Sequence, residues 1–174
     1  QVLGAGELIA SAHAEKKARK LRVCVASGSR AAETLEKALR LSGFEITTES
    51  DALLVGINSD GFGVRIWNKS EFSCEHSLGM ALLALAEDSR QIAVPNDAPS
   101  AFALGINRKD ASVLRVGRDK GAEALAARQC VGFFGIPTAV KLLSYLDSSG
   151  KSPEILFSEL PRYAVRSAEV ACET

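Results

Sequence analysis

The sequence predicts an α/β fold, in which mixed or mostly parallel sheets are flanked by helices. Short apolar runs of strand type alternate along the chain with longer segments whose apolar residues recur at helical spacing. Residues 21–48 also contain a complete strand–helix–strand unit, and such βαβ units lie in parallel or mixed sheets. Together these two observations indicate helices packed on sheets.

The first half of the chain holds this βαβ unit and a second pair of strands. Its helix, expected at 30–42, carries apolar residues on one face and Glu–Lys or Glu–Arg pairs at i,i+4 on the other. The apolar run 52–57 has no polar alternation, which is typical of a strand buried on both faces. An Ala-rich helix is expected at 4–20, and strands are expected at 21–26, 44–48, 52–57 and 64–67.

The second half repeats the alternation of strands and helices. Pro137 in the first turn of an apolar helix and Gly150 just after its end mark that helix clearly. Two α/β layers are therefore expected to meet near residues 68–75. We expect strands at 91–94 and 112–116, and helices at 75–88, 100–105, 117–129, 136–147 and from 153 to a residue before Pro161.

The composition excludes several classes of partner. The 174 residues are 47% hydrophobic and 24% charged, which is ordinary for a globular protein. Because 21 basic residues balance 21 acidic ones, the chain has no net field to gather nucleic acid or an anionic membrane. The longest apolar stretch, 80–86, is too short to span a membrane, and the N-terminus lacks a secretion-signal pattern. Cysteines without a C-x-x-C pair are typical of unpaired thiols, so we expect a cytoplasmic protein.

Two loops carry candidate functional residues. Residues 58–63 join two strands and place Asp60 at the mouth of a sheet. Residues 117–120 open a helix, so that unpaired backbone N–H groups lie beside Arg118 and Lys120 in the stronger candidate anion site. The alternative for that segment is a solvated charged turn. Residues 73–76, Ser-Cys-Glu-His, are expected to cap a helix and not to form a Cys–His catalytic pair.

Several segments stand in an order and spacing that belongs to one enzyme family. Residues 139–146 (AVKLLSYL), 149–152 and 158–163 resemble the end of the third domain of the α-D-phosphohexomutases, the phosphomannomutase and phosphoglucomutase family. Residues 92–95 and 114–117 resemble a strand and the K-V-G-D loop of that domain, while 21–29 and 56–65 resemble the start and the metal loop of the second domain. The resemblance implies a domain II-like part at 1–70 and a domain III-like part at 71–174, both shortened.

The resemblance implies a metal loop that has lost most of its ligands. The family motif D-G-D-x-D-R holds one magnesium ion through three carboxylates, and here the aligned residues 60–65 are D-G-F-G-V-R. Asp60 alone cannot hold magnesium without further ligands, so we expect no cofactor beyond a weak magnesium site there. Restoring carboxylates at Phe62 and Val64 should raise metal affinity if the loop keeps the family's geometry.

The resemblance also assigns ligand-binding residues but no catalytic one. Arg115 stands where the family has a Lys that contacts the sugar phosphate, and Arg65 ends the metal loop; with Gly117 and Lys120 they form the predicted ligand-binding set. The family's phosphoserine loop, its G-E-x-S-G-H sugar loop and its R-x-S-G-T phosphate clamp have no counterpart in the sequence. Phosphoryl transfer needs a nucleophile, a base and charge neutralisation together, so we expect no catalytic residue.

The sequence supports three functional hypotheses. The first is a phosphohexomutase-like domain that binds a sugar phosphate or regulates a sugar-nucleotide enzyme, without mutase activity of its own. The second is a fragment of an active phosphomannomutase or phosphoglucomutase whose other domains lie elsewhere. The third is a protein-interaction module without a sugar ligand. The expected partners are accordingly a sugar phosphate, a protein, or fused neighbouring domains.

Overall fold

The structure is a computed structural model that describes residues 19–26 and 28–163. The helix expected at 4–20 lies outside the described residues, apart from Arg19 and Lys20, which are not helical. The described parts hold seven strands and six helices, numbered here in chain order. The strands are β1 (Arg22–Val25), β2 (Glu45–Ile46), β3 (Leu53–Ile57), β4 (Val64–Trp67), β5 (Glu71–Phe72), β6 (Gln91–Val94) and β7 (Ser112–Arg115); the helices are α1 (Arg30–Leu41), α2 (Cys74–Ala86), α3 (Ser100–Asn107), α4 (Ala122–Gln129), α5 (Gly135–Ser149) and α6 (Pro153–Ser158).

The first sheet has five strands in the order β2-β1-β3-β4-β5. β1 pairs parallel with β2 and β3, whereas β4 pairs antiparallel with β3 and β5. This mixed sheet confirms the α/β prediction and places the strand expected at 52–57 in the sheet interior. The chain leaves β1 for β2 on one side and returns to β3 on the other, so the strand order reverses between β1 and β3.

Helices cover only one face of this sheet among the residues described. α5 contacts both α1 and α2, and the three helices pack on the strands, burying Leu53 and Val55. Leu54, which points to the opposite face, is only partly buried. The expectation that this strand is buried on both faces is therefore wrong for the outward side, because no described helix packs there.

The second sheet consists of β6 and β7, which run parallel and are joined by α3 as a βαβ unit. At the outer edge of each strand, a polar side chain forms hydrogen bonds with backbone groups. On β6, the Gln129 carboxamide accepts from the N–H of Ala93 at 2.9 Å and donates to its carbonyl at 2.9 Å. On β7, the Asp119 carboxylate accepts from the N–H of Arg115 at 2.5 Å.

One cluster of buried apolar side chains joins the two sheets, from Val23 in β1 to Leu160 after α6. α2 is apolar on nearly all sides because it contacts β4 in the first sheet, β6 in the second, and α5. β5 pairs with β4, so the first sheet extends to Phe72, and the division of the chain at residue 70 stays a prediction. In the part of the chain that the structure describes, no helix combines the length and apolarity needed to cross a membrane.

Candidate functional site

An open cleft of about 320 Å³ lies where β1 and β3 end and α1 begins. The two strands are the pair between which the strand order reverses, and their carboxyl ends meet at this edge of the sheet. In open α/β sheets the crevice at such a switch point is the usual position of a ligand site. The residues that line it are Ala26, Gly28, Ser29, Gly56, Ile57, Asn58, Ser59, Arg65 and Trp67.

The N-terminus of α1 forms one wall of the cleft. Ser29 is the N-cap of this 12-residue helix, and its hydroxyl accepts from the N–H of Ala32 at 3.1 Å. Gly28 precedes it with φ +121°, a left-handed value that favours glycine. The first turn of a helix carries N–H groups without intrahelical acceptors and a partial positive charge, both of which attract anions.

β4 supplies the opposite wall through Arg65 and Trp67, which lie on the outward face of the sheet. The Arg65 side chain is half exposed, and its guanidinium lies 3.7 Å from the carboxylate of Glu71. Such an exposed pair contributes little energy, so the guanidinium can turn to a ligand at small cost. Beside it, ring carbons of Trp67 lie 2.9 Å from the point where a Cβ on Gly56 would stand, so the indole covers the backbone of Gly56.

The loop 58–63 that resembles a metal loop is held by its own hydrogen bonds. The Asp60 carboxylate accepts from the N–H of Phe62 at 2.9 Å, and the carbonyl of Gly61 accepts from the N–H of Gly135 at the start of α5 at 2.8 Å. The Phe62 ring stacks on Phe134, with 6.0 Å between ring centroids, and both side chains are exposed. This loop thus joins the first sheet to α5.

These residues do not fit a magnesium site of the family's kind. Val64, which stands at the position of the third carboxylate, is 2% exposed and belongs to the apolar core. A carboxylate at that position would enter the core and not the loop, so the loop does not keep the geometry that restored metal binding would require. The described residues also contain no group of three His, Cys, Asp or Glu side chains that could hold a metal ion.

Arg115 has hydrogen-bond partners that its position in the sequence did not indicate. One nitrogen of its guanidinium donates to the carbonyl of Ala98 at 2.8 Å and lies 3.2 Å and 3.4 Å from the carbonyls of Asn96 and Pro95. The side chain therefore holds the turn that leads from β6 to α3. Its predicted contact with a phosphate would compete with these carbonyls.

Gly117 and Lys120 lie in the turn between β7 and α4. Gly117 has φ +78°, and the helix begins at Ala122 after Gly121, five residues later than expected, because Gly121 is also left-handed with φ +83°. Lys120 is exposed, and the carboxylate of Asp119 stands in the same turn. Arg65 lies in the first sheet and lines the cleft, whereas Arg115 at the end of β7 and Gly117 and Lys120 in the turn that follows do not line it.

Of the residues that line the cleft, the sequence predicts only Arg65 as a ligand-binding residue, and Ser29, Gly56 and Trp67 are among those that it does not indicate as part of the site. One signal was present in the sequence, because Trp67 follows Arg65 by two residues and so lies on the same face of the strand. Cys74 and His76, which were expected to belong to a helix cap, have separate neighbours. The Cys74 sulfur lies 3.8 Å from Oδ1 of Asn58, whereas the His76 ring packs on Phe157 at 4.7 Å.

A separate charged network connects the ends of α2, α3 and α6. Lys109 donates to Glu87 at 2.5 Å and to Glu159 at 3.2 Å, and Lys151 donates to Glu159 at 2.5 Å. The hydrogen bond from Lys109 lowers the pKa of Glu87. Burial acts to raise the pKa of Glu159, but hydrogen bonds from Lys151 and Lys109 outweigh burial and lower it. The network stabilises a helix junction and does not line the cleft.

Comparison with known proteins gives a match to structures and not to sequences. No family model matches the chain, and no curated protein matches it. A phosphoglucomutase/phosphomannomutase family protein from Burkholderia thailandensis superposes with a TM-score of 0.65 at 15% identity, covering 92% of this chain and 46% of that one. A putative phosphomannomutase from Thermus thermophilus gives a TM-score of 0.64 at 13% identity, with 89% and 49% covered.

A third similar structure is N-acetylphosphoglucosamine mutase from Aspergillus fumigatus, in complex with GlcNAc-6P and magnesium. It gives a TM-score of 0.54 at 7% identity, covering 91% of this chain and 48% of that one. The chain thus spans about half the length of the structures it matches. At these identities the likeness shows the fold alone, and it confirms the phosphohexomutase-like fold that the sequence segments implied.

Proposed function

From this phosphohexomutase-like fold we propose that the chain binds a sugar phosphate in the cleft between α1 and β4 and does not transfer a phosphoryl group by itself. The observation that carries the proposal is the convergence of Arg65 and the N-terminus of α1 at the switch point of the sheet. A phosphate there receives backbone N–H groups from one wall and the guanidinium of Arg65 from the other.

The absence of phosphoryl transfer is proposed from the loop at 58–63. Mutase chemistry needs a nucleophile, a base and a concentrated positive charge on the moving group. In this loop the only carboxylate is Asp60, and it accepts a hydrogen bond from the backbone of Phe62. The three free cysteines of the described residues, Cys24, Cys74 and Cys130, support a cytoplasmic location for such a binding protein.

A second candidate function is a docking module for a protein or a neighbouring domain. The observation that favours it is the pair of stacked rings at the junction of the loop with α5, where Phe62 is 61% exposed and Phe134 is 50% exposed. Exposed aromatic side chains on a fixed backbone are enriched at protein interfaces.

Calorimetric titration tests the first proposal. Glucose 1-phosphate, mannose 1-phosphate and inorganic phosphate are titrated at low salt into the wild type, Arg65→Ala, and Arg108→Ala as a matched control from the exposed end of α3. The Arg65→Ala variant loses a charge-assisted contact of roughly 1.5–3 kcal/mol, so it should bind the ligand roughly tenfold to a hundredfold more weakly than the wild type. The control should bind as the wild type does.

Three results would overturn parts of this proposal. If no ligand binds at millimolar concentration, the sugar-phosphate function fails and the docking function leads. If Lys120→Ala weakens binding and Arg65→Ala does not, the phosphate lies at the turn before α4, on the predicted set of Arg115, Gly117 and Lys120. A coupled assay that detects turnover of glucose 1-phosphate to glucose 6-phosphate by the purified chain would refute the absence of mutase activity.

A further inference from the structure

The outward face of the first sheet presents two neighbouring rows of side chains. Across the strands, Cys24 stands beside Leu54 and Leu54 beside Trp67, so that these three form an apolar row that is only partly buried. In the next row along the strands, Gly56 stands beside Arg65. The apolar row therefore lies directly next to the guanidinium that lines the cleft.

The indole ring of Trp67 lies at the boundary between these two rows. Its ring carbons lie over Gly56. A Cβ at residue 56 would come within 2.9 Å of them, so only glycine leaves room for the ring in this position. One side of the indole is thus supported by the backbone of β3. The other side belongs to the sheet face that no described helix covers, and the tryptophan is only partly buried.

We propose that the sugar phosphate of this cleft is a nucleoside phosphate, whose base stacks on Trp67 while its phosphate meets Arg65 and the first turn of α1. The inference rests on the proposed function for the position of the phosphate. The indole extends over Gly56, which pairs with Arg65, so the ring and the guanidinium are neighbours on one face of the sheet. A ribose can therefore connect a base on the ring to a phosphate on the guanidinium.

The apolar row of Cys24, Leu54 and Trp67 suits a nucleobase better than it suits a hexose ring. A hexose laid on Cys24, Leu54 and Trp67 would bring hydroxyl groups against Leu54, which offers them no hydrogen-bond partner, so their hydration there would be lost without replacement. A nucleobase is planar, with no hydroxyl group projecting from its face, so it can stack on the indole. Such stacking on aromatic side chains is favourable for every base.

The single tryptophan of the chain makes the test direct, because any change in its fluorescence reports on Trp67. AMP, ribose 5-phosphate, adenosine and inorganic phosphate are titrated separately into the full chain. AMP should quench the emission and bind roughly fivefold to a hundredfold more tightly than ribose 5-phosphate, which lacks the base. Acrylamide should quench Trp67 in the free protein, and AMP should protect it.

Variants separate stacking from phosphate binding, with affinities measured by calorimetry. Trp67→Leu should bind AMP no more tightly than ribose 5-phosphate, while Leu104→Ala, an exposed apolar control on α3, should behave as the wild type. Trp67→Phe keeps an aromatic ring over Gly56, and it replaces the leucine variant if circular dichroism shows that the latter is unfolded. It should keep part of the preference for AMP.

The outcomes distinguish this inference from the function on which it rests. Equal affinity for AMP and ribose 5-phosphate, with no change in Trp67 emission, would overturn the inference and leave sugar-phosphate binding in place. Resistance of the free protein to acrylamide would overturn it as well, because the ring would then be covered. If AMP binds and hexose 1-phosphates do not, the inference stands and the hexose assignment fails. If none of the phosphates binds, both fail.

Discussion

Arg115→Ala should destabilise the fold without weakening sugar-phosphate binding. The wild-type guanidinium donates to the carbonyl of Ala98 at 2.8 Å, and its contacts with Asn96 and Pro95 are longer, at 3.2 Å and 3.4 Å. We therefore count one charge-assisted hydrogen bond of about 1.5–3 kcal/mol. With a urea dependence of about 2 kcal/mol per molar, the midpoint of unfolding should fall by about 1 M.

The assay combines urea unfolding, followed by circular dichroism, with calorimetric titration of glucose 1-phosphate. Arg118→Ala, an exposed arginine in the following turn, is the matched control and should change stability by less than about 0.5 kcal/mol. Arg115→Lys keeps a positive charge but not the planar guanidinium, and should fall between alanine and wild type. A stable Arg115→Ala protein that has lost phosphate binding would refute this reasoning and restore Arg115 as a ligand residue.

Two further predictions concern packing and pH. Gly79→Ala on α2 should lower the stability of the fold by roughly 1–2 kcal/mol, because a Cβ there would come within 2.7 Å of the Phe102 ring. This overpacking outweighs the higher helix propensity of alanine. Gly105→Ala is the control: its Cβ would have its nearest neighbour 3.1 Å away, so the change should be close to neutral in thermal melts. Lys109→Met should lower stability by about 1–2 kcal/mol at pH 7. Because the folded pKa values of Glu87 and Glu159 are lowered, their contribution is fully present above the ordinary value of 4.5 and is lost as the pH falls through the folded values. Unfolding free energies measured from pH 7 to pH 3 should therefore decrease less steeply in Lys109→Met than in the wild type, and parallel profiles would contradict the network's role.

Local patterns in the sequence were sufficient for most elements and for the fold class. The strand 91–94 was predicted with the bounds that the structure has, and α1 ends one residue before its expected end. β5 escaped prediction because two residues, Glu71 and Phe72, are too few to show a period. The start of α4 was misplaced because a left-handed residue at Gly121 interrupts a sequence that otherwise favours a helix.

The site was harder to predict because its contacts are not local. The ligand contact of Arg115 stays a prediction, and the acceptors that its guanidinium has in the structure come from a turn 17 to 20 residues earlier in the chain, which no spacing rule indicates. The sequence also predicts Val64 as the first residue of a strand but does not indicate on which face of the sheet its side chain lies. Its pairing with Ile57 in the antiparallel ladder and its burial show that the side chain lies in the core. Register, which needs a partner strand, decides that the Val64 side chain lies in the core and that Trp67 lies on the outward face of the sheet.

The two side chains at the edges of the small second sheet have a consequence for how the protein behaves in a crowded solution. A parallel pair of strands ordinarily offers two lines of unpaired amide groups that invite an extended segment from another molecule. Here Gln129 takes the position of a further strand beside β6, and Asp119 adds a negative charge beside β7. At each edge of this sheet a polar side chain therefore already occupies backbone groups of one residue, Ala93 in β6 and Arg115 in β7, and those groups are not free to pair with a strand of another molecule.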